Sequence, residues 1–66
     1  LNITAANNLI VLHTVNGTAS AAAGAIDKLR WDEIIGTIAG DDTILVIARS
    51  NEDVPSVMAR FRQMMR

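Results

Sequence analysis

The stretch Ile34-Ile35-Gly36-Thr37-Ile38-Ala39-Gly40-Asp41-Asp42-Thr43-Ile44-Leu45-Val46-Ile47-Ala48 decides the fold. It holds two short runs rich in β-branched residues, Ile34 to Ala39 and Thr43 to Ala48. Gly40-Asp41-Asp42 separates them. Runs of this length bounded by a Gly/Asp cluster predict a β-hairpin. Upstream, Leu9 to Val15 is apolar on both faces, as in a strand covered twice. Leu1 to Ala5 alternates, and Asn7-Asn8 tolerates the positive φ of a tight turn. These segments predict a second hairpin.

Two helices complete the pattern. Asn16-Gly17 breaks the second strand, and Asn16 or Thr18 is placed to cap a helix running to about Leu29. Ser50 or Asn51 opens the last helix, with Glu52 and Asp53 at its positive end. Pro55 fits only its first turn. Val54, Val57, Met58, Phe61 and Met65 form a core-facing stripe at helical spacing. The expected order is ββαββα, an α+β domain with a four-stranded, largely antiparallel sheet and two helices on one face.

Composition limits what such a domain can do. The 66 residues carry 6 Lys+Arg and 7 Asp+Glu, a net charge of −1, which argues against this segment alone gripping nucleic acid or an anionic membrane. There is no cysteine and one histidine, which removes disulfides, thiolate zinc and multi-histidine metal sites within one copy. No apolar run approaches the roughly 18–20 residues of a membrane span. Half the residues are hydrophobic, yet only Trp31 and Phe61 are aromatic. Leu1 to Ile26 carries no Asp, Glu, Lys or Arg; every such charge falls between Asp27 and Arg66. A chain this short has a marginal core of its own. Part of the uncharged stretch is therefore expected to be subunit interface, where charge is depleted. A neutral surface of Asn, Thr and Ala is the alternative.

Three features carry candidate chemistry. The first helix is rich in Ala, with Ala22, Ala25, Ile26 and Leu29 expected toward the sheet. Ser20, Ala23, Gly24 and Asp27 are expected to share another face. That face is either the wall of a small-ligand site or a close-packing surface. Asp41-Asp42 is either a solvated turn or a cation trap, because carboxylates match ammonium or bind guanidinium bidentately. One loop offers too few oxygens for calcium, and neither metal nor cofactor is expected. His13 is expected to be a buried, hydrogen-bonded histidine, with no nucleophile to pair with. Trp31 is expected to seal a helix end or an interface.

Gly36-Thr37-Ile38-Ala39-Gly40-Asp41-Asp42-Thr43-Ile44 resembles the signature segment of the bacterial arginine repressor, in its C-terminal domain. His13-Thr14-Val15-Asn16-Gly17 is similar to that family's strand-to-helix junction, usually His/Arg-Thr-x-Pro-Gly, with Asn16 in place of the Pro. Asp27 falls where the family's first helix carries an aspartate. The resemblance spans residues 1–66. It implies a cytoplasmic, non-enzymatic domain that senses arginine and oligomerises. It implies trimers that pair into hexamers, and L-arginine bound at the trimer–trimer interface as corepressor. It further implies operator DNA binding through an N-terminal winged helix-turn-helix outside this chain. Carried over by position, Asp41 and Asp42 would be the principal ligand carboxylates. Asp27, Thr37 and Ala39 would line the pocket. Ser20 stands where better-known members carry Gln, which would remove an amide contact. A purely structural oligomerisation module, or a sensing domain of a metabolic enzyme, are the alternatives.

Overall fold

The computed structural model describes residues 2–15 and 17–64. The order is β1 (Asn2–Ala6), β2 (Leu9–His13), α1 (Ala19–Leu29), β3 (Ile34–Gly40), β4 (Thr43–Ala48), a 3-10 turn (Asn51–Asp53) and α2 (Val54–Met64). The strands form one sheet in the order β1-β2-β4-β3, and every pairing is antiparallel. This is the expected ββαββα domain.

The register separates the two faces of the sheet. Ile10 and Leu12 on β2 pair beside Val46 and Ile44 on β4. All four are buried, together with Ala48. They meet Ala19, Ala23 and Ile26 of α1 and Val54, Val57 and Phe61 of α2. Both helices therefore cover the same face. The other face carries Leu9, Val11, Leu45, Ile47 and Ile38, and neither helix covers it. Ile38 is 64% exposed there. A register shift between Ile34 and Gly36 adds Ile35, 57% exposed, at the same edge of the sheet. The expectation that β2 is covered on both sides fails for the single chain. The odd-numbered half of its apolar pattern is left open.

Several local expectations are corrected. β2 ends at His13, short of the expected Val15; the Thr14 N–H still donates to the Asp42 carbonyl at 2.6 Å, in line with the β2–β4 register, and the chain then turns toward α1. Val15 is consequently exposed. His13 is exposed rather than buried, since its position in β2 puts it on the open face. The α1 stripe is rotated from the expected one. Ala19, Ala23 and Ile26 are buried and Ala22 is half-buried, while Ala25 and Leu29 are exposed. Docking of Ala19 against the β3–β4 turn sets that phase. Ala23 thus leaves the face expected for it, and Ser20, Gly24 and Asp27 remain exposed. Space above Gly24 is open within the chain, so no intramolecular close approach accounts for that glycine.

Both hairpin turns follow the sequence. Asn7 has φ 54° and Asp41 has φ 43°, the left-handed conformation that Asn and Asp tolerate best after glycine. α2 begins after a 3-10 turn rather than directly at Asn51, with Ser50 Oγ donating to Asp53 Oδ2 at 3.0 Å. Pro55 sits in its first turn, as expected. Leu1, Asn16, Met65 and Arg66 lie outside the described residues, so the expected roles of Asn16 and Met65 do too.

Trp31 joins the two layers at the start of β3. Its ring centre lies 5.2 Å from that of Phe61, and the Arg60 guanidinium carbon sits 4.9 Å from the Trp31 ring centre. Arg60 also grips Glu33 with both terminal nitrogens, at 2.6 and 3.3 Å. This hydrogen-bonded guanidinium, helped by a backbone hydrogen bond, holds the Glu33 carboxyl below its ordinary range.

Candidate functional site

The acidic turn is not a free loop. Its backbone and side chains are stitched to the junction between β2 and α1. The Asp41 carbonyl accepts from Ala19 N–H at 3.0 Å, and Asp41 Oδ1 accepts from Gly17 N–H at 3.1 Å. The first N–H groups of a helix lack intrahelical partners. Asp41, distant in sequence, supplies acceptors to α1 at its first residue and just before it. Thr18 occupies the N-cap position, but its side chain makes no cap bond; its hydroxyl donates instead to the Val15 carbonyl at 2.6 Å. The partial positive charge at a helix N-terminus favours an anion placed there. From sequence alone no helix follows the Asp pair, so this stabilisation is invisible. The helix precedes it and reaches it through the fold.

Asp42 is held from the other side. Thr43 Oγ1 donates to Asp42 Oδ1 at 2.9 Å and lies 3.4 Å from His13 Nδ1. His13 and Thr43 are register partners across β2 and β4. Asp41 is exposed and Asp42 half-buried. On both carboxylates Oδ1 is the oxygen engaged, and among the described residues Oδ2 accepts nothing. The turn therefore presents two carboxylates with free acceptor capacity in a fixed geometry.

The other expected residues lie along the groove between α1 and β3. Asp27 Oδ1 accepts from Thr37 Oγ1 at 2.8 Å. Ala39 is half-buried on the helix side of β3, between Thr37 and the turn. Ser20 follows Ala19 at the acidic end and is exposed, with no hydrogen bond among the described residues. Ala19 at the turn and Asp27 are eight positions apart, about 12 Å at the helical rise. Thr37 to Asp41 is four positions, about 13 Å along a strand. The two estimates agree, so α1 and β3 run side by side in opposite directions. The fold gathers Asp41 with Asp42 at one end and Asp27 with Thr37 at the other. It does not close all four around one point within a single chain. A larger apolar cavity, about 240 Å³ and lined by Leu12, Ala22, Ile26, Ile44, Phe61 and Met64 among others, contains none of the three carboxylates.

Known proteins resemble this chain along most of its length. The profile of the family described as arginine repressor, C-terminal domain, matches residues 1–63. An arginine repressor of Carboxydothermus hydrogenoformans is 59% identical over 54 residues, covering 82% of this chain and 36% of that protein. One of Moorella thermoacetica is 54% identical over 57 residues, covering 86% and 38%. One of Alkaliphilus oremlandii is 47% identical over 66 residues, covering all of this chain and 44% of that protein. The chain thus spans less than half the length of these relatives. This α+β domain with a buttressed acidic turn is thus similar over nearly its whole length to one domain of proteins named arginine repressors. The chain belongs to the arginine repressor family and corresponds to its C-terminal domain. No helix among the described residues is long and apolar enough to cross a membrane.

Proposed function

We propose that this domain binds L-arginine between copies of itself and couples that binding to assembly of a regulator of arginine metabolism. The observation that carries the reading is the Asp41–Asp42 turn, whose carboxylates are held by Gly17 and Thr43 yet keep oxygens that no other described residue engages. Two fixed carboxylates are suited to a guanidinium, which donates through a planar fork. Asp27, backed by Thr37, is a further anchor about 12 Å along the groove. One chain leaves these anchors on an open surface, so a ligand engaging both kinds needs a second copy. Ala39 and Ser20 line the stretch between them.

The assembly we propose is a trimer that pairs into a hexamer, with arginine between the trimers. The open sheet face supports self-association: Leu9, Val11, Ile38, Leu45 and Ile47 form an apolar surface that neither helix covers. Contiguous apolar surface of this kind marks interaction sites. Operator DNA would be read by another part of the full-length protein, in the cytoplasm, with arginine acting as corepressor. The open face equally favours a second reading, a purely structural oligomerisation domain with a solvated acidic turn. Isothermal calorimetry with L-arginine and L-lysine separates the two. Saturable arginine binding, with lysine weaker for lack of the fork, supports sensing; no heat with either supports the structural reading.

A further inference from the structure

The two helices share one face of the sheet but leave a gap between them. α1 packs over β3 and β4, and α2 over β2. Toward α2, α1 presents Ala22 and Ala25, whose side chains are too short to reach across. The opposite wall is Phe61 and Met64. The floor is Leu12 and Ile44, register partners on β2 and β4 and part of the buried core. The result is a half-open cavity of about 240 Å³ at the end of β2, beside His13 and Thr14.

The lining decides what fits. None of the described residues around the cavity carries a carboxylate, an ammonium or a guanidinium. A charged occupant would lose its hydration there and gain no partner. An apolar cavity of about 150 Å³ stays dry and holds benzene. At about 240 Å³ this one has room for a bicyclic aromatic of the size of indole. A protein partner is a poor match, because a stable interface takes about 20–30 residues a side, and nine described residues line the cavity. The chain's own side chains do not close the gap either, although interiors are ordinarily close-packed and an unfilled void forfeits contacts along its lining. Leucine at position 22, nearly as good a helix former as alanine, would fill much of it.

We propose that the cleft between α1 and α2 is a binding site for a small uncharged aromatic molecule. It is separate from the acidic turn, since Asp27, Asp41 and Asp42 do not line it. The occupant lies flat between the alanines of α1 and the Phe61 ring, over Leu12 and Ile44, and supplies the apolar contacts that the two helices do not make with each other. Binding there holds α1 and α2 on the sheet and stabilises the fold. The site goes beyond the arginine-binding reading and does not depend on it.

The test uses indole as the probe and indole-3-acetate as its charged counterpart. The 66-residue chain is labelled at its methionine methyl groups for nuclear magnetic resonance, and the Met64 signal is identified by its loss in Met64→Leu. Indole should shift the Met64 signal saturably and leave Met58, which does not line the cleft, in place. In melts at fixed protein concentration, indole at about ten times its dissociation constant should raise the midpoint by roughly 6–11 °C. Indole-3-acetate should bind about tenfold or more weakly, because its carboxylate finds no partner. Ala22→Leu, which fills the cleft, should melt no lower than wild type and lose the response to indole. The Met64 signal of wild type decides the matter even if Ala22→Leu folds poorly. The proposal is overturned if indole produces no saturable Met64 shift, or if indole-3-acetate binds as well as indole. An equal indole response in folded Ala22→Leu also overturns it, by placing the probe elsewhere, such as on the open sheet face. So does a response that disappears at the protein concentration where copies assemble, because a second copy then covers the cleft.

Discussion

Replacing Asp41 separates what its backbone does from what its charge does. Asp41→Ala removes the acceptor for Gly17 N–H and puts a residue with no local hydrogen bond at φ 43°. The freed N–H is exposed and recovers water, so that loss is about 0.5 kcal/mol. Alanine in the left-handed region costs roughly 1–2 kcal/mol more. The total of about 2 kcal/mol corresponds to a fall of roughly 10 °C in a domain of this size. Asp41→Asn keeps a side-chain acceptor and a residue suited to the left-handed region. It loses only the anion at the start of α1, about 0.3–1 kcal/mol, or a few degrees. The two substitutions should be alike in ligand binding, because both remove the charge. A charge-assisted hydrogen bond is worth about 1.5–3 kcal/mol, so arginine affinity should fall roughly ten- to hundredfold in each. The assay pairs circular-dichroism melts at a fixed protein concentration with calorimetric titration. If Asp41→Asn stays folded and binds arginine like wild type, Asp41 is not a ligand carboxylate. If it melts as low as Asp41→Ala, the charge rather than the acceptor holds the turn.

Phe61 is 2% exposed and packs against Trp31 in a tilted arrangement, so Phe61→Ala should cost about 3–5 kcal/mol and collapse the near-ultraviolet signal of Trp31; a native-like melt would contradict the core described. Ile38→Asp should leave the single-chain fold intact, because Ile38 is 64% exposed, yet shift sedimentation to smaller species; an unchanged distribution would remove the open sheet face from the interface. Glu33→Gln should alter the acid side of the stability profile. The folded-state value of Glu33 is lowered from 4.5 by Arg60, so its stabilisation is present above that pH and fades as pH falls through the lowered value. The melting difference between wild type and Glu33→Gln should therefore be constant near neutrality and vanish in acid; a difference that persists at low pH would show that the pair's charge is not what matters.

Much of the fold was legible because its signals are local. Gly40-Asp41-Asp42 and Asn7-Asn8 specify turns by their own backbone tolerances, and the spacing of Val54, Val57 and Phe61 specifies a buried stripe. The phase of α1 was not legible. Ala22, Ala25 and Leu29 are apolar enough to face the sheet, but a helix of alanines has several nearly equivalent stripes, and a tertiary contact at Ala19 chooses among them. His13 was misplaced because an apolar run with one face open looks like a strand buried twice. Asp41 and Asp42 stood out by their own chemistry and Asp27 by its helical spacing, whereas Thr37 and Ala39 were marked by resemblance alone. Of these, the structure brings Asp27 into contact with Thr37, a pairing that spacing could not reveal. The support of Asp41 by Gly17 and Ala19 was hidden for the same reason, since the partners lie more than twenty positions apart.

The central claim is that arginine joins copies of this domain, and sedimentation velocity on a dilute sample with and without arginine tests it directly. Acidic turns meeting across an interface repel, and desolvating them is costly. A cationic ligand that bridges them binds the assembled state better, and by reciprocity must shift the equilibrium toward it. At a free concentration about 100 times its dissociation constant, the gain is ~2.7 kcal/mol per site. Saturating arginine should move a mixture of smaller and larger species toward the larger, and lysine should move it less. A distribution that is incompletely assembled at the start and stays unchanged at saturating arginine would contradict the account.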